Sequence, residues 1–353
     1  MNTTNSIQNS LFMKALRREP TERTPIWMMR QAGRYLPEYR ATRAKAGSFL
    51  KLAGNPELAC EVTLQPIQRY RFDASILFSD ILILPHAMGL GLGFEPGEGP
   101  YFERPIRTPA DIEKLPTPDP NDDTGYVMEA VRLIRRNLPA GTPLIGFAGS
   151  PWTVATYMIE GRSSKDFATA KGLLLGEPKA AHQLLNHLAD TTAAYLIAQV
   201  DAGADALMIF DSWGGALSPT LYRDYSLASQ QRIVDQVKNA CPNTPLILFG
   251  KGCGQHLELL ADTGCQGLGV DWTMDMKEAR ERVGDRVALQ GNLDPAVMLT
   301  SPKIIQREAR RVLDSYGNAP GHIFNLGHGI TPGVPPEHVQ VLVETVRSWR
   351  TDS

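Results

Sequence analysis

The stretch Asp201-Ala-Gly-Ala-Asp-Ala-Leu-Met-Ile-Phe210 decides the fold. Its second half, Ala206 to Phe210, is a short unbroken apolar run closed by a polar pair, Asp211-Ser212, and followed by an amphipathic pattern from Leu221 to Asn239. A strand that is apolar at every position must be covered on both faces, the condition of a parallel strand between helices. The same sentence recurs along the chain, in Ile26–Met29, Ser75–Phe78, Leu144–Phe147, Leu246–Phe249, Gly267–Val270, Val287–Leu289 and Ile323–Leu326, which makes eight runs in all. The approaches echo one another too: Asp262-Thr-Gly-Cys precedes Gly267 much as Asp201-Ala-Gly-Ala precedes the run at Ala206.

Eight strand-then-helix units predict an α/β fold, a (β/α)8 TIM barrel, as a single domain over residues 1–353 with a short helix at about 9–18 before the first run. An open doubly wound sheet is the alternative, and it would bring a dinucleotide fingerprint. The glycine-rich stretch Met88–Pro100 does not supply one, because no three of its glycines stand at G-x-G-x-x-G spacing and its acids would repel a pyrophosphate. It reads as a long excursion after the second run, either a lid or a plain connection. Pro105–Pro120 reads as a further crossover connection.

With 353 residues, 42% hydrophobic and 21% charged, the chain can bury a large core. Its opening residues are polar and no apolar run approaches a membrane span, so a soluble, cytoplasmic protein is expected. The four cysteines, Cys60, Cys241, Cys253 and Cys265, lack CxxC spacing and are expected as reduced thiols. Cys253 and His256 alone are too few for a zinc site.

Charge is unevenly placed. From Arg23 to Lys45 six basic residues face one acid, Glu38, a local +5 on a chain whose net charge is −2. A cationic focus on an otherwise acidic protein points to an anionic ligand held at one place, and not to nucleic acid or a membrane surface. Arg40, Arg43 and Lys45 are read as a solvated helix start. Arg30 and Arg34 are read as ligand-binding: they follow an apolar run and flank Gly33, and the guanidinium fork suits carboxylates or phosphates.

In a barrel of this kind the site lies at the C-terminal strand ends. The polar residues there are Arg30 and Arg34, Ser79-Asp80, Ser150 leading on to Tyr157, Asp211-Ser212, Lys251, Asp271, Asn292 and Asp294, and Asn325 with His328. Asp271 and Asp294 suit helix caps. Tyr157 is compatible with ordinary core, and His328 with a lone polar histidine. Asp80, embedded between Ile76-Leu-Phe-Ser79 and Ile81-Leu-Ile-Leu84, is expected to be partly buried and in need of partners.

Two segments, Pro25-Ile-Trp-Met-Met-Arg-Gln-Ala-Gly-Arg34 and Gly146-Phe-Ala-Gly-Ser-Pro-Trp-Thr153, resemble the signatures of the uroporphyrinogen decarboxylase family. Phe78-Ser-Asp80, Phe210-Asp-Ser212 and Asn325-Leu-Gly-His-Gly329 stand where that family's other site segments fall, and the resemblance runs from about Leu11 to Trp349. It implies a cytoplasmic, homodimeric carboxy-lyase of haem and tetrapyrrole (porphyrin) biosynthesis, a TIM barrel without cofactor or metal. The expected reaction removes CO2 from the four acetate arms of uroporphyrinogen III to give coproporphyrinogen III.

The resemblance also places a substrate-binding loop at Arg30, Gln31, Ala32, Gly33 and Arg34, an essential carboxylate at Asp80, and further substrate contacts at Tyr157, Ser212 and His328. Such a reaction needs an electron sink, and a pyrrole supplies one when a ring carbon is protonated. An ionised Asp80 facing the pyrrole N–H groups would stabilise that cation. Arg30 is a weak acid, so proton delivery by it is less easy than by His328 or a water.

Three rival readings stand beside this one. The first is a zinc-dependent, cobalamin-linked methyltransferase of the same fold. The second is a Schiff-base lyase using Lys251. The third is a tetrapyrrole carrier, which would need the arginines but not Asp80.

Overall fold

The computed structural model describes residues 3–95 and 99–350, with side chains described from residue 6. Nine strands are defined: β1 Ser75–Ile76, β2 Leu92–Glu95, β3 Gly99–Phe102, β4 Leu144–Gly149, β5 Ala206–Asp211, β6 Leu246–Gly250, β7 Gly267–Gly269, β8 Ala288–Leu293 and β9 His322–Leu326. Seven of them form one parallel sheet in the order β1-β4-β5-β6-β7-β8-β9, with helices such as Pro178–Ala202 and Ala228–Ala240 crossing between them. Every residue of β4, β5, β6, β8 and β9 is buried, as the apolar runs require. The sheet curls on itself: Gln290 on β8 reaches Met208 on β5 with its amide, and His328, just past β9, lies 5.9 Å from the Phe249 ring on β6.

The expected first strand, Ile26–Met29, is instead a single parallel bridge, Ile26 to Phe324. Side chains have taken the N–H groups a ladder would have used. Ile26 N–H donates to the Asp73 carboxylate (2.8 Å), Met28 N–H to the Gln31 amide oxygen (3.3 Å) and Met29 N–H to that of Asn325 (2.9 Å). The run still joins both edges of the sheet, because Phe324 N–H donates to Pro25 O (2.8 Å) and Asp73 N–H to Ile26 O (2.9 Å).

Strand β1 is cut short for a related reason. It pairs only with Leu144 and Ile145, which would leave Phe147 on β4 bare; the buried Gln199 amide from helix Pro178–Ala202 accepts from Phe147 N–H (2.8 Å) and donates to its carbonyl (3.0 Å). The early helix is shorter than the expected 9–18. It spans Leu11–Leu16, with Ser10 capping it from outside. The glycine-rich excursion is ordered as the antiparallel hairpin β2–β3, whose tip at 96–98 lies outside the described residues. Among the described residues no helix is long and apolar enough to cross a membrane.

At the start of β9, His322 is buried with its ring stacked on Tyr316 (centroids 4.3 Å apart) and Nε2 donating to Gly291 O (3.2 Å), while Nδ1 has no partner. Burial holds its pKa down at about 4, against an ordinary 6.5. The unfolded chain therefore binds an extra proton between those values, so this stability is present above pH 6.5 and lost as pH falls through the window. From pH 7 to 4.5 the parent should lose about 2–3 kcal/mol more than His322→Gln in urea unfolding; parallel losses would refute the assignment.

Candidate active site

The cationic loop is rigid where its sequence looks merely basic. Gln31 N–H turns back to Met28 O (3.0 Å), and the buried Gln31 side chain holds Met28 N–H and Ala74 O, so Gln31 braces the loop. Gly33 is required by proximity, since a Cβ there would come 2.9 Å from Arg30 O. Arg30 itself adopts a left-handed backbone, φ 63°.

The six bases now divide by partner. Arg23 is paired with Asp73 (2.6 and 2.8 Å), and Arg40 donates to Arg34 O (2.8 Å) and Tyr35 O (3.3 Å). The lone acid Glu38 is taken by Arg69 (3.2 Å). Arg30 and Arg34 are exposed, and neither guanidinium has a hydrogen-bond or ion-pair partner among the described residues. The Arg30 side chain lies across the backbone of Gly329, where any Cβ would collide with its Cδ, Cγ and Nε. The loop that follows the Ile26–Met29 run thus closes over the end of strand β9.

Asp80 is half-buried beyond β1, with Oδ1 accepting from Leu82 N–H (2.8 Å). Burial raises its carboxyl pKa, opposed by that N–H and by the Arg30 charge. Tyr157, on helix Pro151–Glu160, is raised chiefly by burial, with the Trp213 indole, Asp80 and Arg30 all acting on it. His328 is half-buried and pushed down to about 4, first by burial, then by Arg30 and Lys251, with Asp271 opposing. Arg30 is therefore within electrostatic reach of Asp80, Tyr157 and His328. Ser212 is half-buried at the end of β5, and its hydroxyl makes no hydrogen bond among the described residues.

The second motif works through Asp211, a strand-end residue to which the sequence assigned no role of its own. Asp211 is buried and accepts from Ser150 Oγ (2.7 Å), Thr153 Oγ1 (2.8 Å), Ser226 Oγ (2.6 Å) and the Gln230 amide (3.3 Å), which compensates an anion whose pKa burial raises. Ser150 also caps helix Pro151–Glu160, while Thr153 Oγ1 accepts from Trp213 N–H (3.1 Å) and Trp152 Nε1 donates to Trp213 O (2.9 Å). Gly146–Thr153 is thus the frame that aims Tyr157 and Trp213. Only the pairing of a strand-end aspartate with a distant Ser/Thr pair hinted at it.

Of the two expected caps, Asp294 performs as such, accepting from Ala296 N–H (2.8 Å). Asp271 does not: it accepts from Gly252 N–H and Thr273 N–H (2.9 Å) and ties two loops together, because the helix that follows is capped by Asp275. Cys253 and His256 are committed elsewhere, the thiol to Lys251 O (3.6 Å) and the imidazole stacked on Tyr222 (4.1 Å). No group of three or more His, Cys, Asp or Glu among the described residues is placed to hold a metal ion.

Comparison with known proteins agrees with this geometry. The family model described as uroporphyrinogen decarboxylase (URO-D) matches residues 7–349. The chain belongs to the uroporphyrinogen decarboxylase family. It is similar to the uroporphyrinogen decarboxylase of Alkalilimnicola ehrlichii, 61% identical over 342 residues that cover 96% of this chain and 94% of the relative. That of Legionella pneumophila (strain Paris) is 59% identical over 340 residues, covering 96% and 97%. Among solved structures, a methyltransferase from Methanosarcina mazei superposes with a TM-score of 0.80 at 23% identity, covering 96% and 98% of the two chains, a likeness of fold alone. Within this family, the loop at Arg30–Arg34 and the carboxylate at Asp80 are the features whose chemistry needs explaining.

Proposed function

We propose that this chain decarboxylates the four acetate arms of uroporphyrinogen III to coproporphyrinogen III, without metal or cofactor, as one catalytic domain. Family membership supports the reading, and one observation carries its chemistry: two unpaired guanidiniums and a half-buried carboxylate share one end of the sheet. In this reading the run at Ile26 is the eighth stave of the barrel, joined to both sheet edges. The homodimer and the cytoplasmic location belong to the same proposal.

The substrate carries eight carboxylates around a ring whose centre presents pyrrole N–H groups. Arg30 and Arg34 grip the rim, and Asp80 accepts from the N–H groups at the centre. Protonation of the ring carbon beside the acetate-bearing one gives an iminium-like cation. The bond to the carboxylate then breaks, its electron pair forms an exocyclic double bond as the ring nitrogen regains its lone pair, and CO2 leaves. A second proton converts the exocyclic carbon to methyl, and the first is lost to restore the pyrrole. Asp80 stabilises a cation that exists only on the reaction path, so its effect falls on turnover. His328 at about 4 is neutral near pH 7 and offers a hydrogen bond more readily than a proton. Tyr157 and Ser212 orient the ring.

Purified, chelator-treated protein incubated anaerobically with uroporphyrinogen III should shift the chromatographic count from eight carboxyls to four, and kcat/KM should fall severalfold as salt rises from about 0.05 to 0.5 M. An unchanged octacarboxylate refutes the proposal. Activity restored only by added zinc would favour the methyltransferase chemistry.

A further inference from the structure

Strand β6 is the middle of the seven, so Lys251 at its end comes from the part of the curl farthest from the seam that carries Arg30. Its backbone is pinned: Lys251 N–H donates to Asp211 O (3.1 Å), Gly215 N–H to Lys251 O (3.1 Å), and Gly252 N–H to the Asp271 carboxylate. Its ammonium stands over two indoles, 5.5 Å from the Trp213 ring centre and 5.8 Å from that of Trp272. That places a cation between aromatic faces within cation–π range.

No carboxylate of the described residues pairs with this half-buried ammonium, and Asp271, the anion nearby, is already held by Gly252 and Thr273. Trp272 is 37% exposed, unusual for so large a ring. The ammonium also shares the site's space, since it and Arg30 both act on His328, whose ring neighbours Phe249 two residues before Lys251. A cation without an anion, framed by two indole faces of which one is exposed, is arranged for a ligand carboxylate.

We propose that Lys251 is a further substrate-binding residue, clamped by Trp213 and Trp272 to take one peripheral carboxylate on the side of the ring away from Arg30. The inference rests on the decarboxylase reading and deepens it: the polyacid is held from two sides, and the Lys251 ammonium is an electrostatic contact, not a Schiff-base nucleophile.

The test compares the parent with Lys251→Met and Lys251→Arg. Met keeps the length and apolar stem of the side chain and removes the charge. Lys251→Met should raise KM for uroporphyrinogen about tenfold with kcat within about threefold, and weaken equilibrium binding of unreactive uroporphyrin, read by tryptophan quenching, by a similar factor. Lys251→Arg should recover most of both, which a loss of fold would not allow. The salt dependence of kcat/KM should become shallower in the Met variant. Unchanged KM and binding in Lys251→Met overturn the proposal, as does a collapse of kcat at constant KM that Arg does not rescue, or borohydride trapping of substrate on Lys251. A parent protein with no decarboxylase activity overturns the underlying function as well, whereas an active parent beside an unaffected Met variant overturns this inference alone.

Discussion

Asp80→Asn should keep its fold and lose about 10²–10³-fold in kcat on uroporphyrinogen, with a much smaller change in KM. The amide preserves size and can still accept from Leu82 N–H, the one hydrogen bond the carboxylate makes among the described residues. What disappears is the negative charge opposite a cation that forms only after protonation of the ring. Because burial raises the Asp80 pKa, the acid limb of the parent's kcat/KM profile should begin above the ordinary aspartate range, activity falling as the carboxylate takes a proton. That limb should be absent from the Asn variant. Near-parental turnover in Asp80→Asn, measured by the same carboxyl count, would remove the mechanism and leave a site that merely binds.

Arg30→Ala should cost about 30–100-fold in kcat/KM, spread over both parameters, because a charge-assisted contact is lost from substrate and transition state alike. A second substitution separates function from structure. Arg30 is exposed, unpaired and left-handed at φ 63°, a conformation that disfavours any residue with a Cβ. Arg30→Gly should therefore be about 1 kcal/mol more stable in urea unfolding while losing at least as much activity as the Ala variant. A Gly variant that is both active and stabilised would show that the guanidinium has no role.

The parallel strands were legible because burial on both faces writes itself as continuous apolarity. Ala206–Phe210 became β5 with one residue added, and Leu246–Phe249 became β6 likewise. Val287–Leu289 was read too short because β8 runs on to Leu293 through Gln290, Gly291 and Asn292, polar or small residues whose partners the local pattern cannot show. Ile26–Met29 had the right composition and the right neighbours, yet three of its N–H groups go to side chains from positions 31, 73 and 325. No periodicity records such long-range substitutions.

The site was legible to the extent that charge without a structural use stands out. Arg30, Arg34 and Asp80 were conspicuous because nothing local explained them. Asp271 was misread as a cap because Gly252 is distant in sequence, and the brace from Gln31 to Ala74 left no local sign for the same reason. The Trp213 and Trp272 rings around Lys251 left no mark at all, since they meet only when three strand ends are drawn together.

The fastening of the Ile26 run by Asp73, Gln31 and Asn325 has a consequence for how the molecule can be damaged. A ladder shares its load among many equivalent amides, and losing one leaves the rest in register. Here three N–H groups of the run on which the guanidinium loop hangs depend each on one individual side chain, so a change at residue 73 or 325 can slacken the grip on the tetrapyrrole as surely as a change in the grip itself.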